Sequence, residues 1–155
     1  MEAQSLNERF AIHHRLQFVT GPGGLTLAQL HTPRGAATVA LQGAQVLDYT
    51  PRGQRPVLWT SGQARYAAGQ SIRGGIPVCW PWFGAHPSDP GKPNHGFVRV
   101  APWRVLDSQR RDEAVRLRLL LEDSPESLAL WPHRFRLLLS VTLDAPEVPD
   151  YVVDY

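Results

Sequence analysis

Residues 113–122 read EAVRLRLLLE, and this stretch decides the fold class. Val115, Leu117, Leu119 and Leu121 fall on one side of an extended chain, and Arg116 and Arg118 fall on the other. Successive side chains of a strand point to opposite faces, so period-two alternation marks a strand with one buried and one wet face. Residues 133–144 repeat the pattern. There Phe135, Leu137, Leu139, Val141 and Leu143 alternate with Arg134, Arg136, Ser140 and Thr142. The two runs are predicted to be antiparallel strands. The link between them begins with Ser124, a good N-cap, followed by Pro125, a good first helical residue. That predicts one short helix near 124–131, closed by Pro132.

Toward the N-terminus the pattern persists in shorter pieces. Leu25, Leu27 and Gln29 share one side of residues 24–31, residues 38–41 form a brief apolar run, and residues 44–49 follow a Gln-Gly turn. No long amphipathic helix is visible. The class is all-β, with a sandwich favoured over a barrel. A chain of 155 residues is one domain in size, and its fourteen prolines and thirteen glycines suit short strands joined by turns.

Composition removes several function classes. Every basic residue but Lys92 is arginine, the net charge is +2, and the arginines form no run, so no nucleic-acid partner is expected. Cys79 is the one cysteine, which leaves no intramolecular disulfide, and no Cys/His pair has zinc spacing. The N-terminus lacks the charged start and apolar run of a secretory signal, and no window approaches a membrane span. A soluble, cytoplasmic protein with no membrane partner is the expectation.

Residues 60–102 break the alternation and are rich in glycine and proline. A long irregular connection inside a compact domain is usually functional. Arg73 precedes Gly74-Gly75, where the backbone can reach conformations closed to other residues. Arg99 ends the run NHGFVR. A phosphate dianion is well held by two such planar cations, although either arginine can equally pair with a local carboxylate or face water. His95 can hydrogen-bond a sugar hydroxyl, transfer a proton, or simply sit at the surface. Asn94 can bond a hydroxyl or serve a turn. Trp80, Trp82, Phe83, Phe97 and Trp103 can stack on sugar C–H faces or fill the core. His86 and His133 have no spaced partner and read as structural. A cupin-like metal site would need closely spaced histidines, and the adjacent His13 and His14 would point to opposite faces of a strand.

The run AGQSIRGGIPVCWPWFGAHPSDPGKPNHGFVRVAPWRV resembles the signature of the aldose 1-epimerase-like superfamily, and more narrowly of the glucose-6-phosphate 1-epimerases, or D-hexose-6-phosphate mutarotases. The segments GAQVLDYTPRGQRPVLWTS and LWPHRFRLLLSVTL also look like family segments in the right order, so the resemblance covers roughly residues 15 to 144. It implies a galactose-mutarotase-like β-supersandwich. It also implies interconversion of the α and β anomers of a hexose 6-phosphate by acid–base ring opening and closure, with no cofactor. By the same resemblance Arg73 and Arg99 bind phosphate, His95 lies at the cleft, and Asn94 stands where some relatives use a Gln. A monomer is expected when the chain is full length.

The resemblance stops before the end of the sequence. The family's catalytic His, in a motif like LHTYF, and its catalytic Glu would fall beyond Tyr155. The reading is therefore residues 1–144 as the N-terminal part of a mutarotase-like β-sandwich domain and 145–155 as an atypical tail, in which Pro146 and Pro149 interrupt any continuing strand. From this follow three expectations: a truncated supersandwich, no catalytic residue within the chain, and poor solubility from unpaired edges. The alternative function is a non-catalytic carbohydrate- or phosphosugar-binding module that kept the cleft without the chemistry.

Overall fold

A computed structural model describes residues 2–143 and 150–154. It is built of two four-stranded antiparallel sheets. The first contains β1 (Leu16–Thr20), β2 (Thr26–Thr32), β3 (Gly35–Ala40) and β4 (Gln45–Pro51), in that spatial order. The second contains β5 (Arg104–Arg111), β6 (Ala114–Glu122), β7 (Arg136–Leu143) and β8 (Asp150–Asp154), again in sequence order. Each strand pairs with the next in sequence, so neither sheet has a crossover.

The inner faces close on each other. Phe18, Leu30, Val39 and Tyr49 of the first sheet share one core with Leu117, Leu119, Leu137, Leu139 and Val141 of the second, and none of these is more than 2% exposed. Burying each such side chain is favourable by about 1.5–3 kcal/mol. The two runs that decided the class are direct neighbours. Leu117 sits opposite Val141, and Leu119 opposite Leu139. One detail differs from the strict alternation. Leu121, expected inside, is half-buried, while Leu120 on the other face is 1% exposed. An apolar cleft beside them is lined by Leu120, Leu121, Val100, Leu130 and Phe135, so neither face of β6 is wholly polar here.

The expected short helix is α2 (Pro125–Leu130). The Ser127 amide donates to Ser124 Oγ at 3.3 Å, and the Ser124 amide donates to Ser127 Oγ at 2.9 Å, a reciprocal capping box. A second helix, α1 (Ala3–Phe10), was not expected. Its apolar residues Ala3, Leu6 and Phe10 follow helical spacing, and Leu6 is fully buried. The Asn7 side chain bonds both backbone groups of Phe18 at 2.7 Å, which occupies part of the exposed edge of β1.

The first sheet is covered on both faces. Leu25, Leu27, Ala40, Leu47 and Ile72 form a second apolar cluster on its outer side. Ile72 comes from the long irregular connection, so that segment is part of the sheet's packing. The end of the chain also forms a strand. β8 runs antiparallel to β7, with Val153 opposite Leu139 and Tyr151 opposite Val141. Pro146 and Pro149, expected to interrupt a strand, lie outside the described residues. The adjacent His13 and His14 correct another expectation. They occupy a tight turn closed by reciprocal Ile12–Leu16 backbone bonds, with their rings 3.7 Å apart. Opposite-face alternation needs extended backbone, and His14 has a φ of 56°.

Among the described residues no helix is long and apolar enough to cross a membrane. Among the described residues the large apolar side chains left exposed are Val57, Trp59 and Phe83.

Candidate functional site

Between β4 and β5 the described backbone has no strand, only isolated bridges and a 3-10 turn at Val98–Val100. Backbone polar groups in such a segment need partners from elsewhere. Four residues at the β3–β4 turn, Gln42 to Gln45, supply many of them. Gln42 Nε2 donates to the carbonyls of Ala67 (3.1 Å) and Gln70 (2.8 Å), and its Oε1 accepts from the Gly69 amide at 2.9 Å. Gln45 is 1% exposed, and its Nε2 donates to the carbonyls of Ile72 and Gly74. Those two carbonyls flank Arg73. The buried amide of Gln45 therefore fixes the backbone from which Arg73 projects.

The glycines after Arg73 are required by close approach. Gly75 has a φ of 62°, and a Cβ there would lie 2.1 Å from the Val46 carbonyl oxygen. The Gly75 amide donates to the Trp59 carbonyl (2.8 Å), and the Ser61 amide donates to that of Arg73 (3.0 Å). The Arg73 side chain emerges exposed into a polar cleft of about 660 Å³, lined by Ser61, Gln63, Arg65, Gln70, Ser71 and Arg73. Two guanidinium groups thus share one concave surface that has no carboxylate in its lining.

The NHGFVR run is anchored on the same turn. A Cβ on Gly43 would lie 2.3 Å from the Arg99 carbonyl oxygen, and the Gly43 amide donates to the Ala101 carbonyl at 2.8 Å. Gly96, with a φ of 70°, is bridged to Trp80 so tightly that a Cβ would come within 1.8 Å of the Trp80 carbonyl oxygen. The His95 amide donates to the Gly84 carbonyl (2.7 Å), and the Gly84 amide donates to His95 Nδ1 (3.0 Å). Because Nδ1 accepts, the ring hydrogen of this neutral imidazole sits on Nε2, which is left as a hydrogen-bond donor. Phe83, 81% exposed, packs edge-on to His95 at 4.7 Å. Asn94 is exposed and Arg99 half-buried.

The structure thus holds Asn94, His95 and Arg99 on one loop and Arg73 on another, with both loops seated on Gln42–Gln45. Arg73 shares its cleft with Arg65; Asn94, His95 and Arg99 do not line that cleft. Arg65 carried no motif in the sequence. Gln42 and Gln45 did carry a signal: two amides inside the apolar run ALQGAQVL need buried partners. The aromatics divide. Trp103 and Phe97 are core, and Trp80 packs edge-on to Phe97, Trp131 and Phe135. Among the described residues no group of three or more His, Cys, Asp or Glu is arranged to hold a metal.

Comparison with known proteins agrees with this picture. The family model described as aldose 1-epimerase matches residues 26–148. An Escherichia coli K12 protein, named provisionally as a glucose-6-phosphate 1-epimerase, is 42% identical over 114 residues, covering 74% of this chain and 38% of that protein. The crystal structure of a Salmonella typhimurium protein (YeaD), described provisionally as a mutarotase, superposes with a TM-score of 0.80 at 35% identity, covering 86% of this chain and 45% of that one. A galactose mutarotase-like protein from Clostridium acetobutylicum shares the fold, with a TM-score of 0.65 at 11% identity, over 95% of this chain and 49% of its own. The chain spans less than half the length of each of these relatives. With the motifs, the fold and the family model in agreement, the chain belongs to the aldose 1-epimerase family.

Proposed function

We propose that this chain carries the substrate-holding part of a hexose-6-phosphate mutarotase of the glucose-6-phosphate 1-epimerase kind. The observation that supports this most is the shared anchor. One buried four-residue turn holds the backbone of both the Arg73 and the Arg99 motifs. Arg73, with Arg99 from the second loop, is assigned to the phosphate, since guanidinium–phosphate contacts are the strong, directional kind. Arg65 stands in the Arg73 cleft and can add a third fork. His95 Nε2 and Asn94 are assigned to sugar hydroxyls.

Anomer exchange needs a base at the anomeric hydroxyl and an acid at the ring oxygen. The cleft around Arg73 is lined by serine, glutamine and arginine, none of which suits either role. On this reading the described residues hold a hexose 6-phosphate, and the Arg73 cleft itself supplies no base–acid pair for turnover. NMR exchange spectroscopy on α- and β-glucose 6-phosphate tests this. Line broadening of the sugar with an unchanged anomerisation rate is expected. A rate increase that is abolished by Arg73→Ala would contradict it.

A further inference from the structure

A second cleft lies far along the chain from these motifs. It has a volume of about 500 Å³ and opens between the end of α1, the His13–His14 turn and the β1–β2 pair; Asn7, His13, His14, Arg15, Gln17 and His31 are in its lining. The lining contains no Asp or Glu. Three imidazoles meet there although His31 is distant in sequence, because the His31 amide donates to the Arg15 carbonyl at 2.8 Å, one step beyond the Leu16–Leu30 pair. Each of the three histidines is exposed, and none has a hydrogen bond to its ring among the described residues.

Arg15 is the unusual member. Its side chain is 14% exposed, and it donates from Nη1 to the His14 carbonyl (3.2 Å) and from Nη2 to Glu113 (2.8 Å). Its Nε is buried with no partner. Glu113, which pairs with Arg15, also lies 3.8 Å from Arg110, so two guanidinium groups stand beside one carboxylate.

We propose that this cleft is a phosphate-type oxyanion site, separate from the candidate sugar-phosphate site. Arg15 provides the charge, and the imidazole N–H groups of His13, His14 and His31 provide donors in either protonation state. A cation is disfavoured by the guanidinium and by the lack of acidic ligands.

The test is titration of the full chain with inorganic phosphate, followed through the histidine ring signals in NMR, with acetate as a second arm. Saturable shifts of His13, His14 and His31 with phosphate are expected. They should weaken about tenfold or more in Arg15→Gln, because charge-assisted bonds are lost. They should weaken also in His31→Gln, an exposed position that leaves the fold intact, and persist in Arg73→Ala. Acetate giving the same affinity would make the site a general carboxylate site and overturn the phosphate assignment. Shifts that do not saturate, or that are unchanged in both Arg15→Gln and His31→Gln, would overturn the proposal.

Discussion

Replacing Gln45 by leucine separates the anchor from the cleft it supports. Gln45 is 1% exposed, and its amide serves the two carbonyls on either side of Arg73. Leucine has similar volume and no donor. Two carbonyls, of Ile72 and Gly74, then lack their donor in a largely buried site, at a cost of about 1–3 kcal/mol each. Apolar transfer of the leucine recovers part of this, so a loss of about 2–4 kcal/mol is expected. Gln45→Glu keeps the shape and points a carboxylate oxygen at the same carbonyls, so it should be at least as damaging. Equilibrium urea unfolding gives the stability change, and glucose 6-phosphate titration gives the functional one. A loss below about 0.5 kcal/mol, the range of an unconstrained surface change, with binding intact would refute the clamp.

Two further substitutions probe other parts of the fold. Gly96→Ala places a methyl 1.8 Å from the Trp80 carbonyl oxygen at a left-handed φ, and should destabilise by more than about 2 kcal/mol; Gly62→Ala, in open space, should be neutral in the same thermal melt. Asp107 on β5 accepts hydrogen bonds from the Arg118 guanidinium, which hold its carboxyl below the ordinary 3.8 against the opposing effect of desolvation. A lowered folded value contributes stability above the unfolded value, lost as pH falls through the folded one. Asp107→Asn should therefore reduce stability at about pH 6 and flatten its fall toward about pH 3, read from urea midpoints across that range.

Two strands of the second sheet, β6 and β7, were legible because they bury one face and largely wet the other, so Val115 to Leu119 and Leu137 to Leu143 announce their direction. The first sheet was harder to read. With Ile72 packed over Leu25 and Leu27, both faces are apolar and period two fades. Helix α1 was hidden by shortness, since Ala3, Leu6 and Phe10 give only three apolar points. The His13–His14 turn was read as extended chain because adjacent histidines carry no turn signal, and left-handed backbone at His14 is not written in its side chain. In the site, Arg73 and His95 could be singled out by their glycine neighbours. Arg65 could not, because only tertiary folding brings it to the Arg73 cleft. Gln45 was readable as an anomaly in an apolar run, yet which carbonyls it would meet depended on a loop with no periodicity.

The most direct measurement is calorimetric titration of the chain with glucose 6-phosphate and with glucose in an Arg15→Gln background, which weakens the separate oxyanion cleft, repeated after adding Arg73→Ala. Phosphosugar binding should exceed glucose binding by about tenfold or more, and Arg73→Ala should remove that advantage, since the charge-assisted contacts reside in the phosphate clamp. Equal affinity for the two sugars, or a phosphate preference that survives Arg73→Ala, would contradict the assignment of this cleft to the phosphate.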